Sequence, residues 1–162
     1  MEKKVAIIVS PNFQDYAKRY WLDCLESLRR QDWSGERKIF ITDNNSTDGS
    51  FAFLKETAPE AEIIRNEKND GFAKGNNDAM RLALKQGYDY IVLFNMDTII
   101  EKDCVSQLVK AADSSPSIGA VQARLMFWPD KEKINSLGNM THFLGFGFSE
   151  GYGGKWSDDA FQ

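Results

Sequence analysis

The chain has 162 residues, 42% of them hydrophobic, which is the size and apolar share of one ordinary globular domain and excludes a disordered chain. Its 20 Lys and Arg residues are outnumbered by 24 Asp and Glu, for a net charge of -4, and no basic cluster is denser than Glu36-Arg37-Lys38. Such a surface argues against a nucleic-acid partner. The two cysteines, Cys24 and Cys104, lie far apart inside helix-like patterns and make neither a disulfide framework nor a zinc knuckle.

In chain order, Val5-Ala6-Ile7-Ile8-Val9-Ser10 reads as a first strand, ended by Pro11 and Asn12. That apolar run is too short for a signal-peptide core or a membrane span, so a cytoplasmic protein with no transmembrane segment is expected. Trp21, Cys24, Leu25 and Leu28 then fall on one helical face. A second strand is expected at 38–42, a polar loop at 43–50 and a short helix at 51–57. A third strand at 61–65 leads into a loop at 66–75, and then a helix carries Ala79, Met80, Ala83 and Leu84 until Gly87 closes it. The apolar run 90–94 reads as a central strand ending on Asn95-Met96-Asp97, followed by a helix with Val105, Leu108, Val109 and Ala112 and a fifth strand at 120–126. Alternating strands and helices predict an α/β fold with a mostly parallel, Rossmann-like sheet flanked by helices. After Trp128 the texture changes: Pro129-Asp130 signals a turn, and 143–154 mixes glycines with aromatics, so an irregular tail is expected.

In open α/β sheets, ligands bind outside the carboxyl ends of the strands, near the point where strand order reverses. The polar residues of this chain gather at those ends. Asn12 follows strand one, Asp43 to Gly49 follow strand two, Asn69 to Asn77 follow strand three, and Asn95-Met96-Asp97 follow strand four. Each group alone is also what a turn or helix cap requires. Together they supply the parts of a nucleoside-diphosphate site. A glycine-containing segment opening a helix offers free N–H groups and the positive end of a dipole to a phosphate. A carboxylate at a strand end can hold Mg²⁺ or Mn²⁺ against a diphosphate. His142 is the sole histidine and has no partner for a metal or triad, so it reads as a surface or capping residue; Trp128 and Trp156 read as packing aromatics that can also stack on a sugar.

The stretches Val5 to Ser10, Ile41-Thr42-Asp43-Asn44-Asn45-Ser46-Thr47-Asp48-Gly49-Ser50, Asn69-Asp70-Gly71-Phe72-Ala73-Lys74-Gly75-Asn76-Asn77 and Leu93-Phe94-Asn95-Met96-Asp97-Thr98 occur in an order that resembles family 2 glycosyltransferases of the GT-A fold, most nearly their rhamnosyltransferase-type branch. The resemblance covers 5–137. It implies a donor-binding domain at 1–137, with 138–162 a glycine- and aromatic-rich tail leading to an acceptor-side half beyond it. It also implies transfer of a sugar from a UDP- or dTDP-sugar to an acceptor hydroxyl with inversion, in cell-surface polysaccharide synthesis. The acceptor would be a saccharide or a lipid-linked saccharide, with peripheral membrane association and self-association as further expectations for the full protein.

Carried over by position, the resemblance puts Asp43 at the base, with the backbone near Ser10 and Asn12 lining the nucleoside pocket, and Asn45 is a further substrate-binding candidate. Gly71, Phe72, Lys74, Gly75 and Asn76 lie along the donor. Asn95 stands in the first acidic position of the Asp-x-Asp metal motif, and Asp97 is the carboxylate facing Mg²⁺ or Mn²⁺. The family's catalytic base belongs to a later segment, and Asp158 and Asp159 are the only late paired acids here. A nucleotide-sugar-binding module without transfer is the alternative function. A nucleotidyltransferase would need a Gly-, Arg- and Lys-bearing loop where Pro11-Asn12-Phe13-Gln14-Asp15 stands.

Overall fold

The computed structural model describes residues 3–157. Its first unit runs β1 (Val5–Asn12), α1 (Tyr16–Arg29), β2 (Arg37–Asp43), α2 (Ser50–Thr57), β3 (Glu62–Arg65), α3 (Gly71–Lys85), β4 (Tyr90–Phe94) and α4 (Cys104–Asp113). The strands form one sheet in the order β3-β2-β1-β4, and every pairing within it is parallel. The chain therefore steps outward from β1 to β3 and then returns across to β4, which makes the gap between β1 and β4 the point where strand order reverses.

Strand periodicity explains the two cores. On β1, Val5, Ile7 and Val9 face one side and pack with Trp21, Leu25 and Leu28 of α1, Leu54 of α2 and Val105 of α4. Ala6 and Ile8 face the other side and meet Phe40 of β2 and Ala79 and Ala83 of α3. All five strand residues are fully buried, each worth about 1.5–3 kcal/mol for a side chain of Val or Ile size. Trp21 is sealed in the core, yet its indole Nε1 donates to Thr57 Oγ1 at 2.9 Å, which ties α1 to the last turn of α2. Gly87, at φ +81°, closes α3: its N–H donates to Leu84 O at 3.0 Å and that of Tyr88 to Ala83 O at 3.2 Å.

Three elements differ from the sequence expectation. Helix α3 begins at Gly71, so the segment expected as a loop up to Gly75 forms the first turns of the helix. The Asn69 side chain accepts from the Gly71 N–H at 3.0 Å, and that local turn starts the helix earlier than the glycines suggest. Strand β4 lies at an edge rather than the centre, and Leu93 is 46% exposed. Of the fifth strand, only Leu125–Met126 forms a ladder, and it joins no parallel strand. Ala120 and Val121 are exposed there and Ala123 is only partly buried, so no buried face holds a register.

The chain divides into two compact units, Met1–Val109 and Lys110–Gln162, a boundary inside α4, whereas the resemblance implies a donor-binding domain at 1–137. The second unit has two small antiparallel pairs, β5 (Leu125–Met126) with β6 (Ile134–Ser136) and β7 (Asn139–Thr141) with β8 (Gly147–Ser149). The β7–β8 hairpin brings regular structure to the stretch expected to be irregular. His142 shapes its tip: Nδ1 accepts from the Leu144 N–H at 3.2 Å and the ring stacks on Phe146 at 4.4 Å. Phe143 beside it is 88% exposed. Trp128 is exposed, and the Arg124 guanidinium lies 3.8 Å from the Trp156 ring centre. No helix among the described residues is long and apolar enough to cross a membrane.

Candidate functional site at the carboxyl ends of the strands

At the reversal point, Ser10 lies in β1 just past its last pairing with β4, and Asn95 follows β4. Their side chains meet across the gap, Ser10 Oγ donating to Asn95 Oδ1 at 2.9 Å. Met96 is buried in the core and acts as an anchor, which leaves Asn95 and Asp97 on either side of it exposed. The Thr98 N–H and hydroxyl both donate to Asn95 O, at 3.2 and 2.6 Å, and tighten this turn. Burial first, and then a hydrogen bond to Asp97 and the charge of that carboxylate, push the Tyr16 phenol up to about 12. Burial, with the charge of Asp97 adding to it, likewise pushes the Cys24 thiol up to about 12. Both cysteines are free thiols, as expected.

One strand over, Asp43 ends β2 fully buried. Its Oδ1 accepts from Asn12 Nδ2 at 3.2 Å and its Oδ2 from the Ser46 N–H at 3.2 Å, while Arg65 Nε stands 3.6 Å from Oδ2. Asn12, also fully buried, spends the rest of its amide on structure: Nδ2 donates to Ser46 Oγ at 3.1 Å, and Oδ1 accepts the Ala17 N–H at 2.9 Å in the first turn of α1. Asn45 takes φ +62° so that the chain can turn back over Asp43. The polar loop thus encloses the carboxylate that the resemblance assigns to the base, and the exposed group of this cluster is Arg65.

Above the opposite face, the start of α3 covers the strand ends. Thr42 Oγ1 donates to Gly75 O at 3.1 Å, and Asn44 Nδ2 approaches Gly71 O at 3.4 Å. Gly75 and Asn76 are buried; Gly71, Phe72 and Lys74 are exposed. Asn76 Nδ2 donates to Phe72 O, and its buried Oδ1 has no partner among the described residues. Lys74 is occupied by Asp78 at 2.5 Å one turn on. The positive dipole end of the helix thus stands beside the carboxyl end of β2, where an anion site would be.

The structure brings Ser10 and Asn95 into contact, joins Asn12 to Asp43, and sets Gly71 to Asn76 along one helix. Asp158 and Asp159, the candidate bases, lie outside the described residues. Sequence reading missed Arg65, Tyr16 and Ser46. Arg65 carried a usable signal, being a charged residue closing a strand just as Asp43 does. Among the described residues, no group of three or more His, Cys, Asp or Glu side chains stands together to hold a metal. One exposed carboxylate beside an exposed amide still fits Mg²⁺ or Mn²⁺, because such ions take one or two carboxylates and complete their shell with phosphate oxygens and water.

Comparison with known proteins agrees with this architecture. An N-acetylglucosaminyltransferase of Bradyrhizobium elkanii is 28% identical over 108 residues, covering 64% of this chain and 57% of that protein. The chain thus spans little more than half of that relative's length. S. aureus TarS 1-349 in complex with UDP-GlcNAc superposes with TM-score 0.58 at 19% identity, covering 78% of this chain and 41% of that one. The mannosyltransferase PcManGT from Pyrobaculum calidifontis, in complex with GDP-Man and Mn²⁺, gives TM-score 0.62 at 23% identity over 76% of this chain and 35% of that one. At these identities the two structures speak for the fold alone, a GT-A sheet flanked by helices. The sequence profile of Glycosyl transferase family 2 matches residues 7–154, nearly the whole chain, and the chain belongs to that family.

Proposed function

We propose that the first unit is the donor site of a glycosyltransferase that moves a sugar from a nucleoside diphosphate to an acceptor hydroxyl with inversion. The observation that carries this reading is the Ser10–Asn95 contact at the strand reversal, with the exposed Asp97 beside it and the α3 N-terminus above the same strand ends. A diphosphate needs those features together: backbone donors and a dipole on one side, and a carboxylate able to share a cation on the other. Asp97 and Asn95 are the residues that would hold Mg²⁺ or Mn²⁺, and the ion's chemistry when bound is to neutralise charge on the leaving diphosphate. The protein's own contribution is orientation. Ser10 holds Asn95, Tyr16 lies near Asp97, and Asp43 organises the end of the pocket assigned to the base.

The names of the relatives make UDP-N-acetylglucosamine the first donor to test, with GDP-mannose second. A role in cell-surface polysaccharide synthesis with a saccharide or lipid-linked acceptor extends the same reading to the whole protein. The test is calorimetric titration of Mn²⁺ with and without UDP or GDP, in the wild type and in Asp97→Ala. Tighter Mn²⁺ binding in the presence of one nucleotide, lost in the variant, is the expected result. Equal Mn²⁺ affinity in all cases would remove Asp97 from the metal role.

A further inference from the structure

Arg65 closes β3 at the outer end of the row of strand ends, and the structure fixes it unusually well for an exposed arginine. Its Nε lies 3.6 Å from Asp43 Oδ2, its Nη2 donates to Ser46 O at 3.1 Å, and its guanidinium carbon stands 4.6 Å from the centre of the Phe51 ring. An arginine held on an edge, an end and a face has lost its rotamer freedom before any ligand arrives, so a further hydrogen bond costs little entropy. Asp43 is fully buried, yet the Arg65 side chain is 42% exposed. Its Nη1 amino group is left without a protein partner among the described residues. The buried acid therefore orients the arginine, and the arginine is what a ligand meets.

The position of Arg65 determines which part of a ligand that is. With a diphosphate at the β1–β4 reversal, a nucleoside extends along the row of strand ends toward β2 and β3. From β4 to β3 is three strand spacings, about 14 Å, which suits an extended nucleotide. Its base then lies beside Arg65. An N–H donor there matches a carbonyl oxygen on the base edge, as in uracil, thymine or guanine, and opposes the amino group that cytosine or adenine carries at the same place.

We propose that Arg65, positioned by Asp43, selects a nucleobase with a keto oxygen at C4 of a pyrimidine or C6 of a purine. This rests on the donor-site reading above. The experiment is calorimetric binding of UDP, 4-thio-UDP and CDP, and of GDP and 6-thio-GDP, to the full chain, to Arg65→Ala and to Arg65→Lys, with circular dichroism to check folding. Sulfur is a far weaker acceptor than the oxygen it replaces. Wild type is expected to bind its preferred keto nucleotide about tenfold more tightly than the thio analogue, the worth of one hydrogen bond to a charged group. Both variants should bind the oxygen and sulfur forms equally, while still binding nucleotide. Arg65→Lys keeps the charge without the guanidinium fork, so it serves if the alanine variant fails to fold. Nucleotide binding with the same thio penalty in wild type and variant would overturn the role of Arg65 and leave the donor site standing. Failure of the wild type to bind any of these nucleotides would overturn the donor-site reading and this inference with it.

Discussion

Asn12→Ala tests whether the strand ends are held by one side chain. Asn12 is fully buried and donates to the Asp43 carboxylate and to Ser46 Oγ while accepting the Ala17 N–H, so the substitution removes three contacts and fills none of them. Loss of a donor to a buried carboxylate costs about 1.5–3 kcal/mol. Loss of the acceptor for a first-turn N–H costs about 1 kcal/mol. Ser46 Oγ keeps the Gln14 N–H as a donor at 3.0 Å, so the third contact adds little. The sum is about 2.5–4 kcal/mol, a large part of the roughly 5–15 kcal/mol that holds a domain together. Urea unfolding followed by circular dichroism reads it directly, and the midpoint should fall with the slope unchanged. A loss below about 1 kcal/mol would refute the view that Asn12 is the structural keystone of these strand ends.

Cys24, raised from 9.0 to about 12 by burial, stays protonated in the folded state after the unfolded thiol has ionised. The unfolded state therefore binds fewer protons between about pH 9 and pH 12, and stability falls through that window on the order of 1 kcal/mol per pH unit. Urea midpoints at pH 8 and pH 10.5 should accordingly drop less in Cys24→Ala than in wild type; equal drops would exclude the thiol. Gly87→Ala forces a side chain into the left-handed region and should cost about 1–2 kcal/mol, read as a lower thermal midpoint. An unchanged midpoint would mean that α3 can end another way.

The sheet was legible because its strands are written twice over, as apolar runs and as alternating faces. Val5 to Val9 show both, and β1 is buried on both sides. The gathering of polar residues at the strand ends was legible for a related reason: buried strands tolerate Asn, Asp and Ser only where they run out. What stayed hidden was which of those residues face outward. Asp43 and Asp97 look alike in the sequence, each closing a strand, yet one is enclosed by its own loop and the other is exposed. The difference arises from Asn45 at φ +62° and from contacts to Asn12 and Arg65, 31 and 22 positions away in the chain, which no local pattern encodes. The edge position of β4 was hidden likewise, because Tyr90 to Phe94 are as apolar as a central strand and only the pairing partners tell the two apart.

The carbonyls that end β1 and β2 do not point into solvent. Asn12 O accepts the Asn44 N–H at 2.9 Å, and Asp43 O accepts the Asn66 N–H at 2.9 Å, so each strand fastens the first residue beyond its neighbour. Residues that would otherwise begin loops are thereby stitched into the ladder. Their amides can exchange with deuterium only when the strands themselves separate, and should share the slow exchange of the sheet interior. The floor of the site then moves as one piece with the core, and a ligand meets a surface already set in shape, while motion is confined to the side chains that project from it.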